Sequence, residues 1–451
     1  MVISKPTCPK SATDAGVDVG PPAIPRAATG DNTGVGTVFR NPAFVTLLVV
    51  FGLLAVVAAI LVPWGPPATP SRAAQLAAVA KLPPEVVAAG KAFAAATRPG
   101  SYLSMGIGLV VALVLGLTPI GATIVAACGR LFGGHWLAEA VLGGLAIMII
   151  SQAVTLPLSA WRHTILVRYG MSTQGWGGWI ADVARSYAVT IVVGALILAA
   201  FYGLTRLSPQ QWWAWAAGGA AVLVMLGSAV YPILIEPVFN SFSSLDDGPL
   251  KTELLEMAER DGVPVGDVLV ADASRRTNAV NAYVSGLGPT RRIVVYDTLL
   301  TKPDDEVVSV VAHELGHAKN GDVWIGTALG ALGAAAGVCL LALLGTATGF
   351  LRRLGIDTIT SPRGVALLLA VFAVVGLVAT PIQNIVSRSI ELRADEHALE
   401  LTGDPGTFIR MQTTLAETNL SDVDPPVWLH WYFGSHPTTA QRIALAEGFP
   451  W

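Results

Sequence analysis

Charge is what this chain has least of. Only 13% of its 451 residues are Asp, Glu, Lys or Arg, against about a quarter in an ordinary soluble domain, and 53% are hydrophobic. A wholly soluble protein is excluded. A net charge of −3 gives no one-signed field with which to hold nucleic acid. Cysteine is nearly missing: Cys8, Cys128 and Cys339 are far apart and no Cys-x-x-Cys occurs, so neither a disulfide framework nor a thiolate metal site is expected. No short apolar segment follows the start, and no cleavable signal peptide is expected. No short-period repeat is found. Lysine is rarer than arginine, and alanine and glycine abound, as in the products of GC-rich bacterial genomes.

Long apolar runs are what the chain has instead. Seven are expected to cross a membrane: about 44–62, 102–125 with Pro119 as a kink, 136–159, 187–202, 213–235, 323–350 and 364–386. Trp212, Trp213 and Trp215 suit a membrane interface. Residues 1–40, rich in Pro, Gly, Asp and Thr, read as a disordered tail. The rest divides into spans 1–5 with their loops (41–235), a polar segment (236–323), spans 6–7 (324–386) and a C-terminal soluble segment (387–451). Residues 63–100 read as one or two interfacial or soluble helices and about 160–186 as a polar loop. Within 236–323 a helix is expected over 250–261 and strands over 268–271, 279–285 and 292–296, the last two joined as a hairpin through Gly286-Leu287-Gly288-Pro289. Seven spans place 63–100, 160–186, 236–323 and 387–451 on one side, with 19 basic residues there and 9 on the other. The positive-inside rule makes that side cytoplasmic, in a cell-membrane protein.

One polar stretch carries chemistry. His313-Glu314-Leu315-Gly316-His317 reads H-E-x-x-H within a helix expected over 304–320, whose first turn holds Asp304, Asp305 and Glu306. Histidines four apart share a helix face and can point at one metal ion, with Glu314 beside them to take a proton from water. Random order of these 7 His and 13 Glu would give about 0.003 such motifs. Zinc, one ion per chain, generally takes three protein ligands in a catalytic site. Glu391, just after the seventh run and on the same side, is the best third ligand, with His397 as rival. Asp395, one turn beyond Glu391, can orient a ligand histidine. His135, His163 and His430 are taken as structural or interfacial.

These residues, His313-Glu314-x-x-His317 and Glu391-x-x-x-Asp395 separated by two apolar spans, resemble the CAAX prenyl protease family of integral-membrane zinc metalloproteases. So do Arg168–Gln174 with Trp179 and Asp182, Pro237–Asn240 with Leu245–Gly248, Asn281-Ala282-Tyr283 with Gly286, and His436-Pro437 with Arg442. The resemblance spans roughly 100–445. It implies a mainly α polytopic protein with a small α+β gluzincin-like catalytic domain, built around a water-filled intramembrane chamber. It further implies zinc on His313, His317 and Glu391, with Glu314 as general base. Asp395 supports the site, at a position often described as a proton donor. Asn281 lies on a substrate-pairing edge strand, and His436 and Arg442 contact substrate or the oxyanion. The implied partners are a peptide or protein substrate, lipidated or membrane-associated, and membrane lipid. Three alternatives stay open: a quality-control protease of heat-shock type, a scaffold or transporter with a vestigial site, and a site-2-type intramembrane protease. The charges flanking the motif, Asp304, Asp305, Glu306, Lys319 and Asp322, argue against the last.

Overall fold

The structure is a computed structural model that describes residues 41–65, 69–286 and 291–450. The expected disordered tail lies outside the described residues, as do Leu287, Gly288 and Pro289 of the hairpin turn. Helix α1 is Pro42–Leu61, α2 is Arg72–Lys81, α3 is Pro84–Leu117 and α4 is Pro119–Arg130. They are followed by α5 (Trp136–Arg168), α6 (Trp176–Leu207) and α7 (Trp212–Phe239). After the polar segment come α10 (Asp322–Leu344) and α12 (Val365–Thr402), with the short α11 (Thr348–Arg353) between them. Of these, α1, α3, α5, α6, α7, α10 and α12 are long and apolar enough to cross a membrane.

Two expectations about the loops are corrected. The second run does not reach residue 125. Thr118 is extended, and its hydroxyl caps a new helix that opens with Pro119 at its first position, where the missing N–H costs nothing. The polar loop over 160–186 is only 169–175, because α5 continues to Arg168 and α6 starts at Trp176. In both α5 and α6, and in the Pro84–Gly100 half of α3, polar helical turns extend an apolar span beyond the run that hydropathy marks.

The polar segment folds as expected around a small mixed sheet. Strands β1 (Phe242–Ser244), β2 (Val268–Ala271), β3 (Ala282–Ser285) and β4 (Arg292–Tyr296) lie in the order β1-β2-β4-β3. The β2–β4 pair is parallel, and both edge pairs are antiparallel. Strand β3 starts three residues later than expected, because Ala279 and Val280 are bound by side chains instead of a strand. Helix α8 (Pro249–Arg260) and the H-E-x-x-H helix α9 (Asp304–Asn320) cover the sheet, together with the end of α12, α13 (Pro405–Thr418) and α15 (Thr439–Glu447), the last two separated by the short α14 (Val427–Phe433). Val268, Ile293, Val311, Leu315, Leu399, Phe408 and Leu445 share this core. Each such side chain contributes about 1.5–3 kcal/mol when fully buried.

The segments expected on one side do meet. The α2–α3 turn buries Ala78, Leu82 and Val86 against Val423 and Ile443, and Arg72 and Lys81 pair with Asp424 and Glu447 at 2.5 and 2.7 Å. The 169–175 loop reaches the polar segment: Ser172 bridges Thr277, and Arg276 pairs with Asp182 at 2.8 Å.

Candidate metal centre

Helix α9 presents its motif from inside the shared core. Pro303 and the acidic first turn start it, and burial of Val307, Val311 and Leu315 fixes its rotation. His313 and His317, one turn apart, then face the same side. Gly321 ends the helix in the left-handed conformation (φ 68°), which glycine adopts freely, and sends the chain into α10 at Asp322. Glu391 arrives from α12, one of the long membrane helices, where the chain emerges into the polar core.

The ligand atoms of His313, His317 and Glu391 all lie within 4.8 Å of one another. His313 Nε2 and His317 Nε2 are 3.2 Å apart, and Glu391 Oε2 is 3.2 Å from the former. The opposite ring nitrogens are both committed. His313 Nδ1 is 2.9 Å from Asp395 and His317 Nδ1 is 2.9 Å from Asp322. A carboxylate only accepts, so each Nδ1 carries a hydrogen, and each ring when neutral presents its Nε2 lone pair. Two lone pairs and a carboxylate converging in a buried space repel one another unless a cation lies among them. Glu391 Oε2 is fully buried and accepts no hydrogen bond. The donor set, two imidazoles and one carboxylate, fits zinc with a fourth position open. The same field acts on a proton: burial opposes the charged form of His313, but the Asp395 and Glu391 carboxylates outweigh it and raise its pKa to about 9.

Each carboxylate behind a histidine is held by an arginine. Arg442 of α15 donates from Nε to Asp395 at 2.9 and 3.0 Å, and Arg393 of α12 binds Asp322. Arg442, expected to contact substrate or the oxyanion, lines the cleft, and its Nε and Nη2 are engaged by Asp395 behind His313. Asp395 is completely buried beneath His313, where it orients the ring. Asp322 and Arg393 went unrecognised in the sequence. Asp322 follows the helix-ending glycine, a position that could have marked it. His397, the rival ligand, points at Asp261 (3.0 Å) and takes no part.

A cleft of about 500 Å³ opens over the cluster, lined among others by Asn281, His313, Glu314, Asn419, His436 and Arg442. Burial raises the pKa of the Glu314 carboxyl, with the two histidines opposing. His436 Nε2 lies 3.3 Å from Glu391 Oε1, and its ring is otherwise exposed to the cleft. His430 Nε2 meets the His436 carbonyl at 2.8 Å and so steadies that segment. Asn281 is exposed at the start of β3. His135 accepts from the Leu137 N–H at the start of α5, and His163 stacks on Trp179.

A profile described as "Peptidase family M48" matches residues 244–449, and one described as "CAAX prenyl protease N-terminal, five membrane helices" matches 84–241. The chain belongs to peptidase family M48. Among similar sequences, the uncharacterized metalloprotease YhfN of Bacillus subtilis is 34% identical over 67% of this chain and 71% of its own length. The CAAX prenyl protease 1 homolog of Arabidopsis thaliana is 30% identical over 67% and 72%, and CAAX prenyl protease 1 of Saccharomyces cerevisiae is 28% identical over 66% and 70%. In fold it is similar to the crystal structure of S. mikatae Ste24p, with a TM-score of 0.74 and 23% identity over 90% of this chain and 99% of that one. This M48 peptidase is thus a metalloendopeptidase and a multi-pass membrane protein, as the motif and the seven runs led one to expect. Its family profile begins at residue 84, within the stretch where the resemblance in sequence fades.

Proposed function

We propose that this M48 peptidase hydrolyses peptide bonds with one zinc ion held by His313, His317 and Glu391. The observation that carries the reading is the convergence of two imidazole lone pairs and one buried carboxylate, with both outer ring nitrogens tied to carboxylates. Zinc in that position supplies a Lewis acid for the scissile carbonyl and makes water more acidic. Glu314 takes the proton of the attacking water and passes it to the departing amine. His436, exposed beside Glu391, donates to the oxygen that gains negative charge. Asp395 and Arg442 hold His313 in the tautomer that ligation needs.

The substrate is a polypeptide in extended conformation, laid along the free edge of β3 near Asn281 in the manner of an added strand. Two of the relatives above are named CAAX prenyl protease, which brings lipidated C-terminal peptides within the substrate class. With a composition of bacterial type, membrane-associated polypeptides are the broader proposal, and the surrounding lipid is a partner. The catalytic face is cytoplasmic, on the count of basic residues.

The purified protein is expected to contain one zinc per chain and to cleave an unstructured peptide, to lose both on chelation, and to regain both with zinc. Cleavage that survives complete metal removal would sink the mechanism. For orientation, a cysteine in the 351–363 loop should react with a membrane-impermeant reagent on intact cells and Ser421→Cys should not; the reverse pattern would place the active site outside.

A further inference from the structure

The free edge of β3 has a built end. In an antiparallel pair, alternate residues turn their N–H and C=O towards the partner strand and the others turn theirs away. The Tyr296 N–H donates to the Asn281 carbonyl at 3.0 Å, and the Thr298 hydroxyl donates to the Ala279 carbonyl at 2.7 Å. Ala279 and Asn281 therefore face the β4 side. Val280 faces the free edge, and by the same alternation so do Ala282 and Val284. Both backbone groups of Val280 are taken by one side-chain amide. Asn419 Oδ1 accepts from the Val280 N–H at 2.9 Å, and Asn419 Nδ2 donates to the Val280 carbonyl at 3.3 Å. This is the pair of bonds that a strand residue opposite Val280 would make.

The support behind Asn419 is as specific as the bonds. It caps the C-terminus of α13 just before Leu420, whose φ of 49° is unfavourable for leucine and turns the chain so that the Ser421 N–H closes on the Ala416 carbonyl at 2.9 Å. Helix α3 packs directly on that turn. A Cβ on Gly90 would lie 2.1 Å from the Ser421 carbonyl oxygen, and Arg98 pairs with Asp422 at 2.7 Å. Asn419, like Asn281, His313 and Glu314, lines the cleft.

We propose that Asn419 stands in for a strand residue and closes the substrate edge at Val280, so that an extended peptide pairs its backbone with Ala282 and Val284 but not beyond. The peptide residue that would oppose Val280 then makes no backbone hydrogen bond, and that subsite accepts N-alkylated residues, proline included. The inference rests on the edge-strand reading of substrate binding given above.

The experiment is an N-methyl scan. A peptide cleaved at one bond is made in a series with one backbone nitrogen methylated at a time, and KM and kcat are measured for the wild-type protein, Asn419→Ala and Asn419→Asp, with zinc content checked for each. The wild type should show KM-sensitive positions two residues apart and a silent position two residues further along. In Asn419→Ala the silent position should become sensitive, by about three- to tenfold in KM relative to the unmethylated peptide with the same variant, the worth of one neutral hydrogen bond. Asn419→Asp loses the donor to the Val280 carbonyl but keeps the acceptor for the Val280 N–H and still fills the place of an opposing residue, so the silent position should stay silent. A third position that is sensitive already in the wild type, or silent in both wild type and Asn419→Ala, overturns the proposal while leaving the edge reading intact. So does an Asn419→Asp pattern equal to that of Asn419→Ala, which would trace the change to a loosened turn. If methylation matters at no position in the wild type, the edge reading itself fails, and the inference with it.

Discussion

The two histidines of the motif are held in matching ways by unequal surroundings. Behind His313 stand Asp395 and Arg442, with side chains 0% and 12% exposed; behind His317 stand Asp322 and Arg393, at 7% and 24%. The first pair joins α12 to the C-terminal helix across the main core. The second joins α12 to the first residue of α10, where the polar segment runs into the membrane part. Burial sharpens the difference in worth. A carboxylate with no route to water depends wholly on its arginine, whereas one near a helix junction can be rescued in part by solvent. His313 is therefore the fixed half of the centre and His317 the adjustable half.

Four measurements bear on that contrast. The largest effect belongs to the ligand both halves face. Glu391→Ala should release most of the zinc and leave a folded protein, while Glu396→Ala should keep it. Stoichiometric zinc in the Glu391 variant would mean that some other residue completes the set. Glu314→Gln comes next, because it separates chemistry from metal holding. Peptide hydrolysis should fall by about 10² to 10⁴-fold with zinc retained, and equal hydrolysis by variant and wild type would remove Glu314 from the mechanism. The third compares the halves directly. Asp395→Asn and Asp322→Asn should each weaken zinc binding by about 10- to 100-fold, with Asp395 at the upper end; competition with a chromophoric chelator measures both, and equal or inverted losses would erase the distinction. The smallest effect is expected at Arg393. Arg393→Lys should alter zinc affinity less than Arg442→Lys does, since an ammonium cannot reproduce the two-pronged grip on a buried Asp395.

Sequence reasoning worked best where one local signal decides. The runs 268–271, 292–296 and 304–320 coincide with the observed strands and helix, because alternation, turn residues and an acidic first turn are each readable within a few positions. The three residues named as ligands are the three that the fold brings together, since the histidines share a helix face and Glu391 had to lie on the same side of the membrane. The loop expected over 160–186 is mostly helix, because polar turns continue an apolar span there, whereas residues 84–100, expected to be helical, are helical but run on into the second span. Two partnerships lie too far apart in sequence for a local pattern to pair them. Asp322 meets Arg393 across 71 residues, and Asn419 meets Val280 across 139, so only folding reveals them.

Helix α12 runs unbroken for 38 residues, about 57 Å, with apolar turns at one end and Glu391 towards the other. It is in effect a lever whose long arm lies in lipid and whose short arm carries one of the three proposed protein ligands. A bilayer too thin or too thick for the long arm tilts the rod, and the tilt arrives at the ion as a displaced carboxylate. On the proposed zinc site the grip on the metal would thereby be coupled to the thickness of the surrounding lipid, and short- and long-chain lipids should give the same polypeptide different rates of zinc loss.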